Sequence, residues 1–265
     1  MLAGKKASNL IVAGILVTFI LTTLMAAQPA YANPTCGDTI TVSTTLTADL
    51  TCTTTIGIQI STNSVLLNCA GHSITGSGGI DGIRVNGDPG EPVTGVRVEN
   101  CVVKDWQYGV IIEYGIRATV KGNTATSNEY GFDLYANPPS TSCNHNTLID
   151  NTANGNQIGF FVSGACTGDT LKKNTASSNT NDGFYVDGTS GEKLESNKAN
   201  TNTNDGFYVS VGSSGNTLSS NSADSNTGYG YQDVTSGHRT ANTANTYTKD
   251  KCSLNTAGCS SPAGL

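Results

Sequence analysis

The sequence predicts an all-β protein: a single-stranded, right-handed parallel β-helix of roughly eight coils with an N-terminal cap. Three observations predict it. First, Asn123, Asn151, Asn174, Asn197 and Asn221 recur at intervals of 28, 23, 23 and 24 residues, each followed two residues later by Ala and five residues later by a second Asn (128, 156, 179, 202 and 226). Second, each later Asn leads to a Gly and an apolar or aromatic triplet, as in Gly131-Phe132-Asp133-Leu134, Gly159-Phe160-Phe161-Val162, Gly183-Phe184-Tyr185-Val186 and Gly206-Phe207-Tyr208-Val209. Third, no part of the repeat sustains a 3.6-residue period, and its strands are too short to pair within one unit, so they must pair between units as stacked parallel strands.

Composition fits this reading. A chain of 265 residues that is 36% hydrophobic can bury a core, and 31 Gly favour repeated tight turns. A net charge of −6 argues against a nucleic-acid partner.

Residues 1–32 read as a secretory signal peptide: Lys5 and Lys6, an apolar run from Leu10 to Met25, then Ala30-Tyr31-Ala32. Cleavage after Ala32 is expected, with no stable membrane insertion afterwards, because the run is shorter than the roughly 20 residues of a spanning helix. The product is then secreted, periplasmic or held at the cell surface. Residues 33–55 are expected to cap the first coil, since an open end exposes apolar core and strand edges. Residues 56–247 form the β-helix, about 40 Å long at ~4.8 Å per coil. Looser copies extend it upstream: Leu67-Asn68-Cys69 and Val98-Glu99-Asn100-Cys101, with Gly82-Ile83-Arg84-Val85 and Gly109-Val110-Ile111-Ile112 as their Gly strands. A loop insertion is expected around Asn86 to Gly90. Residues 248–265 are read as a C-terminal tail. Asn suits the repeat in two ways: it tolerates the left-handed backbone of tight turns, and its amide can bond to the copy above. The Asn columns are therefore expected to be structural ladders.

The eight cysteines all lie beyond the expected cleavage point, and no C-x-x-C occurs, which points to disulfides in an oxidising compartment. Cys143 and Cys166 each precede a ladder Asn by eight residues, and Cys69 and Cys101 each follow one directly, so both pairs should stack. Elimination leaves Cys36 with Cys52 and Cys252 with Cys259.

The stretches Cys36-Gly37-Asp38-Thr39-Ile40, Leu46-Thr47-Ala48-Asp49-Leu50-Thr51-Cys52 and Leu67-Asn68-Cys69-Ala70-Gly71-His72-Ser73-Ile74-Thr75-Gly76 resemble the N-terminal part of exported bacterial and archaeal β-helix proteins. The later Asn-Thr-Ala and Gly-Phe-x-Val repeats resemble those of the same broad group, which includes pectate-lyase-like and NosD-like proteins. The resemblance implies the fold and leaves the chemistry open, since this fold hosts enzymes and non-enzymes alike. The polygalacturonase-like pattern of an adjacent Asp pair, His-Gly and Arg-x-Lys is absent from the sequence. The copper maturation linked to NosD-like proteins is unsupported, because the mature chain has no Met and no paired His.

Strand alternation sends an outward column through Arg84, Ile111, Asp133, Phe161, Tyr185, Tyr208 and Gln232. Solvent-facing aromatics at coil spacing, with Asp and Arg beside them, suit a sugar-binding groove, so Phe161, Tyr185, Tyr208 and Asp133 are the candidate carbohydrate-binding residues. The alternative is that a loop covers them. Candidate catalytic residues are Asp133 with Arg84 or Lys121. Asp182 and Asp205 sit in Asn-Asp-Gly turns and read as turn residues. His72, His145 and His238 lack spaced partners and read as structural or solvated. The expected protein is a monomeric, non-catalytic binder of polysaccharide or cell-surface glycan, with no metal or cofactor. The alternatives are a polysaccharide lyase or epimerase, for which Ca²⁺ is conceivable, and a purely structural surface module.

Overall fold

A computed structural model describes residues 33–139, 142–235 and 244–261. The expected signal peptide, His238 and the last four residues lie outside the described residues.

The chain winds as a parallel β-solenoid of about eight turns, without helix among the described residues. Its strands form a 17-stranded sheet, a nine-stranded sheet and a short four-stranded one. Strands pair in parallel with their equivalents in the adjacent coils: Thr147↔Thr170, Leu148↔Leu171 and Ile149↔Lys172 on one wall, Phe160↔Phe184 and Val162↔Val186 on another. The columns of the regular repeats thus become columns in space; in the looser upstream copies Asn68 lies beside Glu99, and Cys101 rather than Asn100 stands at the ladder position, its N–H donating to Asn123 Oδ1 at 2.9 Å. Phe132, Phe160, Phe184, Phe207 and Tyr231 stack inside the coil at centroid distances of 4.7 to 4.9 Å, with Leu148, Leu171, Leu194 and Leu218 buried on the facing wall. The glycine before each Phe is required by close approach: a Cβ on Gly183 would meet the Gly206 carbonyl at 2.7 Å and the Asn202 amide at 2.8 Å.

The Asn columns are ladders, and they satisfy the buried backbone at each turn. Asn174 Oδ1 accepts the Asn151 N–H at 2.9 Å, while its Nδ2 donates to the Leu148 carbonyl at 2.9 Å and to Asn197 Oδ1 at 3.2 Å. The left-handed backbone sits one residue earlier than expected. It falls on Lys173 (φ 54°), Ser178 (55°), Ser196 (57°) and Thr201 (55°), directly before ladder Asn residues, whose own role is therefore hydrogen bonding alone. A third ladder runs Asn146, Asp169, Glu192, Asn216, Asn245, each accepting the N–H of the one before. Asp169 and Glu192 are fully buried in it.

The solenoid extends past both expected ends. Strands Asp38–Ile40, Thr44–Thr45 and Leu50–Thr51 pair in parallel with the next coil, so the segment read as a cap is itself a coil. Strands Thr246–Thr248, Lys251–Ser253 and Gly258–Ser261 do the same where a tail was expected. The reason is that Asp250 and Asn255 occupy the two ladder positions, accepting the Asn221 and Asn226 N–H groups at 2.7 and 2.9 Å. The insertion after Asn86 closes through an antiparallel bridge between Asp88 and Glu91.

The disulfides are Cys36–Cys52, Cys69–Cys101, Cys143–Cys166 and Cys252–Cys259. Cys143 and Cys166 are register partners in adjacent coils, with Cα atoms 4.5 Å apart. Their bond closes 23 residues of chain, so replacing both by Ser is expected to lower unfolding free energy by about 3 kcal/mol. Guanidinium unfolding of the double variant measures this, and an unchanged midpoint would show that the ladders hold the coils in register unaided.

Candidate functional site

The outward column forms as predicted. Register aligns Arg84, Ile111, Asp133, Phe161, Tyr185, Tyr208 and Gln232 on successive strands of the largest sheet. It divides into two parts. At the N-terminal end it sinks into a cleft of about 370 Å³, whose carboxyls and guanidinium are those of Asp81, Arg84, Glu113 and Asp133 and whose walls include Tyr108, Tyr135, Phe161 and Ser163. Asp133, although on the outer side of its strand, is only 4% exposed.

Strand Ser73–Asn86 supplies Asp81 and Arg84, strand Val102–Glu113 supplies Tyr108 and Glu113, and strand Tyr130–Ala136 supplies Asp133. The Arg84 guanidinium lies between two carboxylates, donating through Nη1 to Asp81 Oδ2 at 3.4 Å and through Nη2 to Glu113 Oε2. Asp133 Oδ1 is buried without a hydrogen-bond partner, and so is Arg84 Nε. Burial, with the Asp81 and Glu113 charges adding to it, pushes the Asp133 carboxyl up to about 8, so it keeps its proton at neutral pH. Burial also raises Asp81 to about 6, against the pull of Arg84. The Tyr108 phenol is pushed up to about 12, chiefly by burial and then by the Asp133 charge.

The remaining candidates lie elsewhere. Lys121 sits exposed on strand Thr119–Lys121 of the nine-stranded sheet, between Glu99 and Ile149 in register and outside the cleft lining. Asp182 and Asp205 are buried turn residues: Asp182 Oδ1 accepts the Asp205 N–H at 2.9 Å, and Asp205 Oδ1 accepts that of Tyr229 at 2.6 Å. His72 pairs with Asp49 at 3.2 Å, and His145 contacts Asn144 at 2.9 Å. Cys143, Cys166 and Asp169 lie close together, but the sulfurs are joined to each other and Asp169 holds the Asn146 N–H, so the trio is structural.

From the cleft walls outward the rings form one continuous row. Tyr108 stacks on Tyr130 (5.1 Å, 12°) and Tyr130 on Phe161 (5.3 Å, 27°). Phe161 and Tyr185 are tilted by 59°, and Tyr185 and Tyr208 are perpendicular at 4.8 Å. Stacked rings turn their faces to each other, whereas two perpendicular rings cannot both face along the row. The face available to a ligand therefore belongs to the Tyr185/Tyr208 pair, and Phe161 serves as a cleft wall.

Asp81, Glu113, Tyr108 and Tyr135 were not foreseen. Glu113 had a signal: it lies two residues beyond Ile111 on one strand, hence on the same face.

Residues 81–247 match the family model described as a right-handed beta helix region. The chain belongs to the right-handed β-helix family. Among solved structures, this β-helix is similar to the A-module of an Azotobacter vinelandii mannuronan C-5 epimerase, with a TM-score of 0.62 and 11% identity over 80% of this chain. It is also similar to a pectate lyase, with a TM-score of 0.60 and 15% identity over 86% of this chain. It spans 62% and 66% of those two chains. Likeness at that identity establishes the shared fold. No curated protein sequence matches the chain.

Proposed function

We propose that this β-helix is an exported, monomeric protein that binds polysaccharide or cell-surface glycan in the cleft around Asp133 and along the Tyr185/Tyr208 pair, without turning it over. The observation that carries the reading is the unpartnered, buried Asp133 Oδ1 at the cleft, continuous with the aromatic row. A buried polar atom without a partner costs about 1–3 kcal/mol, which a ligand hydroxyl or amine can recover. Four disulfides fit export to an oxidising compartment. The two similar folds above are named for polysaccharide substrates.

A second reading, lyase or epimerase, is favoured by one feature: Asp133 holds its proton beside Asp81 and Glu113, and carboxyls with separated proton affinities are what acid–base chemistry uses. Ca²⁺ does not fit this arrangement. Arg84 already occupies one oxygen each of Asp81 and Glu113 and places a positive charge between them, leaving too few converging oxygens for the ion.

A glycan-array screen of the purified protein, followed by ultraviolet-absorbance and reducing-end assays on each hit, separates the readings. Binding without product is expected, weakened about tenfold in Tyr185→Ala/Tyr208→Ala by loss of the ring surface. Product formation would move the assignment to the enzyme, and silence on every glycan would leave a structural module.

A further inference from the structure

Resting on the glycan-binding reading, we infer that the cleft selects a sugar bearing a protonated amine, with the ammonium seated on Asp133 and against the neighbouring Tyr135 ring, and disfavours a uronate.

The charge arrangement points that way. Three carboxyls, Asp81, Glu113 and Asp133, face the cleft against one guanidinium, and Arg84 pairs with the first two and not with the third. No Lys or His lines the cleft among the described residues. A uronate would bring a further carboxylate to a surface already short of cations, on a chain of net charge −6. An ammonium instead supplies Asp133 with the cation it lacks, and its donors suit an oxygen that accepts nothing from the protein.

The walls add a second argument. Tyr135, which is outside the stacked row, borders the same space as Asp133, and an aromatic face beside a carboxylate attracts an organic cation through the ring quadrupole. Unlike Ca²⁺, a primary ammonium needs one carboxylate plus neutral acceptors, and Ser163 also lines the cleft.

Binding should also move a proton. The titratable or charged groups about Asp133 are Asp81 and Arg84 from one strand, Tyr108 and Glu113 from the next, and Tyr130 and Tyr135 from its own. The acids among them hold Asp133 in its protonated form or leave it so, and the Arg84 guanidinium is already engaged by Asp81 and Glu113, so an arriving cation tips the balance. An ammonium therefore drives Asp133 to ionise and releases a proton, whereas an anionic sugar releases none.

The test is titration calorimetry of the wild-type protein with three oligosaccharides: oligoglucosamine, its N-acetylated counterpart and an oligouronate, each in two buffers of different ionisation enthalpy and at two salt concentrations. Oligoglucosamine is expected to bind at least about tenfold more tightly than either of the others, to release protons and to weaken with salt. Asp133→Asn should abolish the preference for the free amine and the proton release. Its melting curve shows whether it has folded, and the wild-type comparison stands without it. Equal or tighter binding of the N-acetylated or uronate chain, with or without divalent ion, overturns the amine inference and leaves glycan binding intact. Absence of binding by any glycan, on this panel and on the array, overturns both.

Discussion

Asn174→Ala is expected to lower unfolding free energy by about 4 kcal/mol, because it strands two buried backbone groups at once. The side chain accepts the Asn151 N–H and donates to the Leu148 carbonyl, and alanine does neither. Both groups lie inside the coil, where Asn174 has no solvent exposure, so water does not replace the amide without opening the stack. Each stranded group costs roughly 1–3 kcal/mol, a large share of the 5–15 kcal/mol that a domain of ordinary stability has in total. The loss should be local, since a solenoid transmits stability between neighbouring coils. Guanidinium unfolding measures the total, and hydrogen exchange at the Asn151 amide locates it. Asn174→Asp keeps the acceptor and, protonated at low pH, one donor in place of the amide's two, so there it should lie between wild type and alanine. A loss under about 1 kcal/mol for alanine, with the Asn151 amide still protected, would mean that backbone pairing alone holds the turn.

The same ladder shows where sequence reasoning succeeds on this chain and where it stops. Asn174 was legible because its column repeats one residue type. The third ladder was not, because any short side chain with an acceptor oxygen fits there, and Asn146, Asp169, Glu192, Asn216 and Asn245 share chemistry rather than identity. Asp250 hid the last coil for the same reason. Alternation was enough to place Arg84 and Asp133 on one outward column, three coils deep. It could not show that Asp133 is buried there, since that depends on Tyr108 and Tyr130 stacking beside it and on a register shift between Thr75 and Gly79 that sets Asp81 against Tyr108. Lys121 failed as a partner because proximity in sequence ignores which wall of the coil a residue occupies; two residues before a ladder Asn, it belongs to the nine-stranded sheet.

Stability is expected to fall as pH rises from about 4 to about 9, by several kcal/mol in total. Burial raises the carboxyls of Asp81 and Asp182 to about 6 and that of Asp133 to about 8, and it raises those of Asp169, Glu192 and Asp205 as well. Their ordinary values are 3.8 for Asp and 4.5 for Glu. Between those values and the raised ones the folded chain binds more protons than the unfolded chain, so the slope of stability with pH is negative throughout that window. The favourable contribution is complete below the unfolded values and is lost as pH passes the folded ones. Asp49, held low chiefly by the Ser73 N–H, works in the opposite sense, but it is exposed and opposed by many buried groups. The steepest alkaline part should come from the third ladder, where Glu192 Oε2 accepts the Asp169 N–H at 2.7 Å while Oε1 is buried without a partner. Ionising both Asp169 and Glu192 would put two like charges on adjacent coils inside the protein. Glu192→Gln preserves the acceptor and replaces the bare oxygen by a donor, so it should be near neutral at low pH and stabilising above about pH 8. Guanidinium midpoints across the range test both statements. A midpoint that rises with pH in the wild type, or a Glu192→Gln variant less stable than wild type at alkaline pH, would mean that these carboxyls are ionised in the native coil and drawn into pairing that offsets their burial.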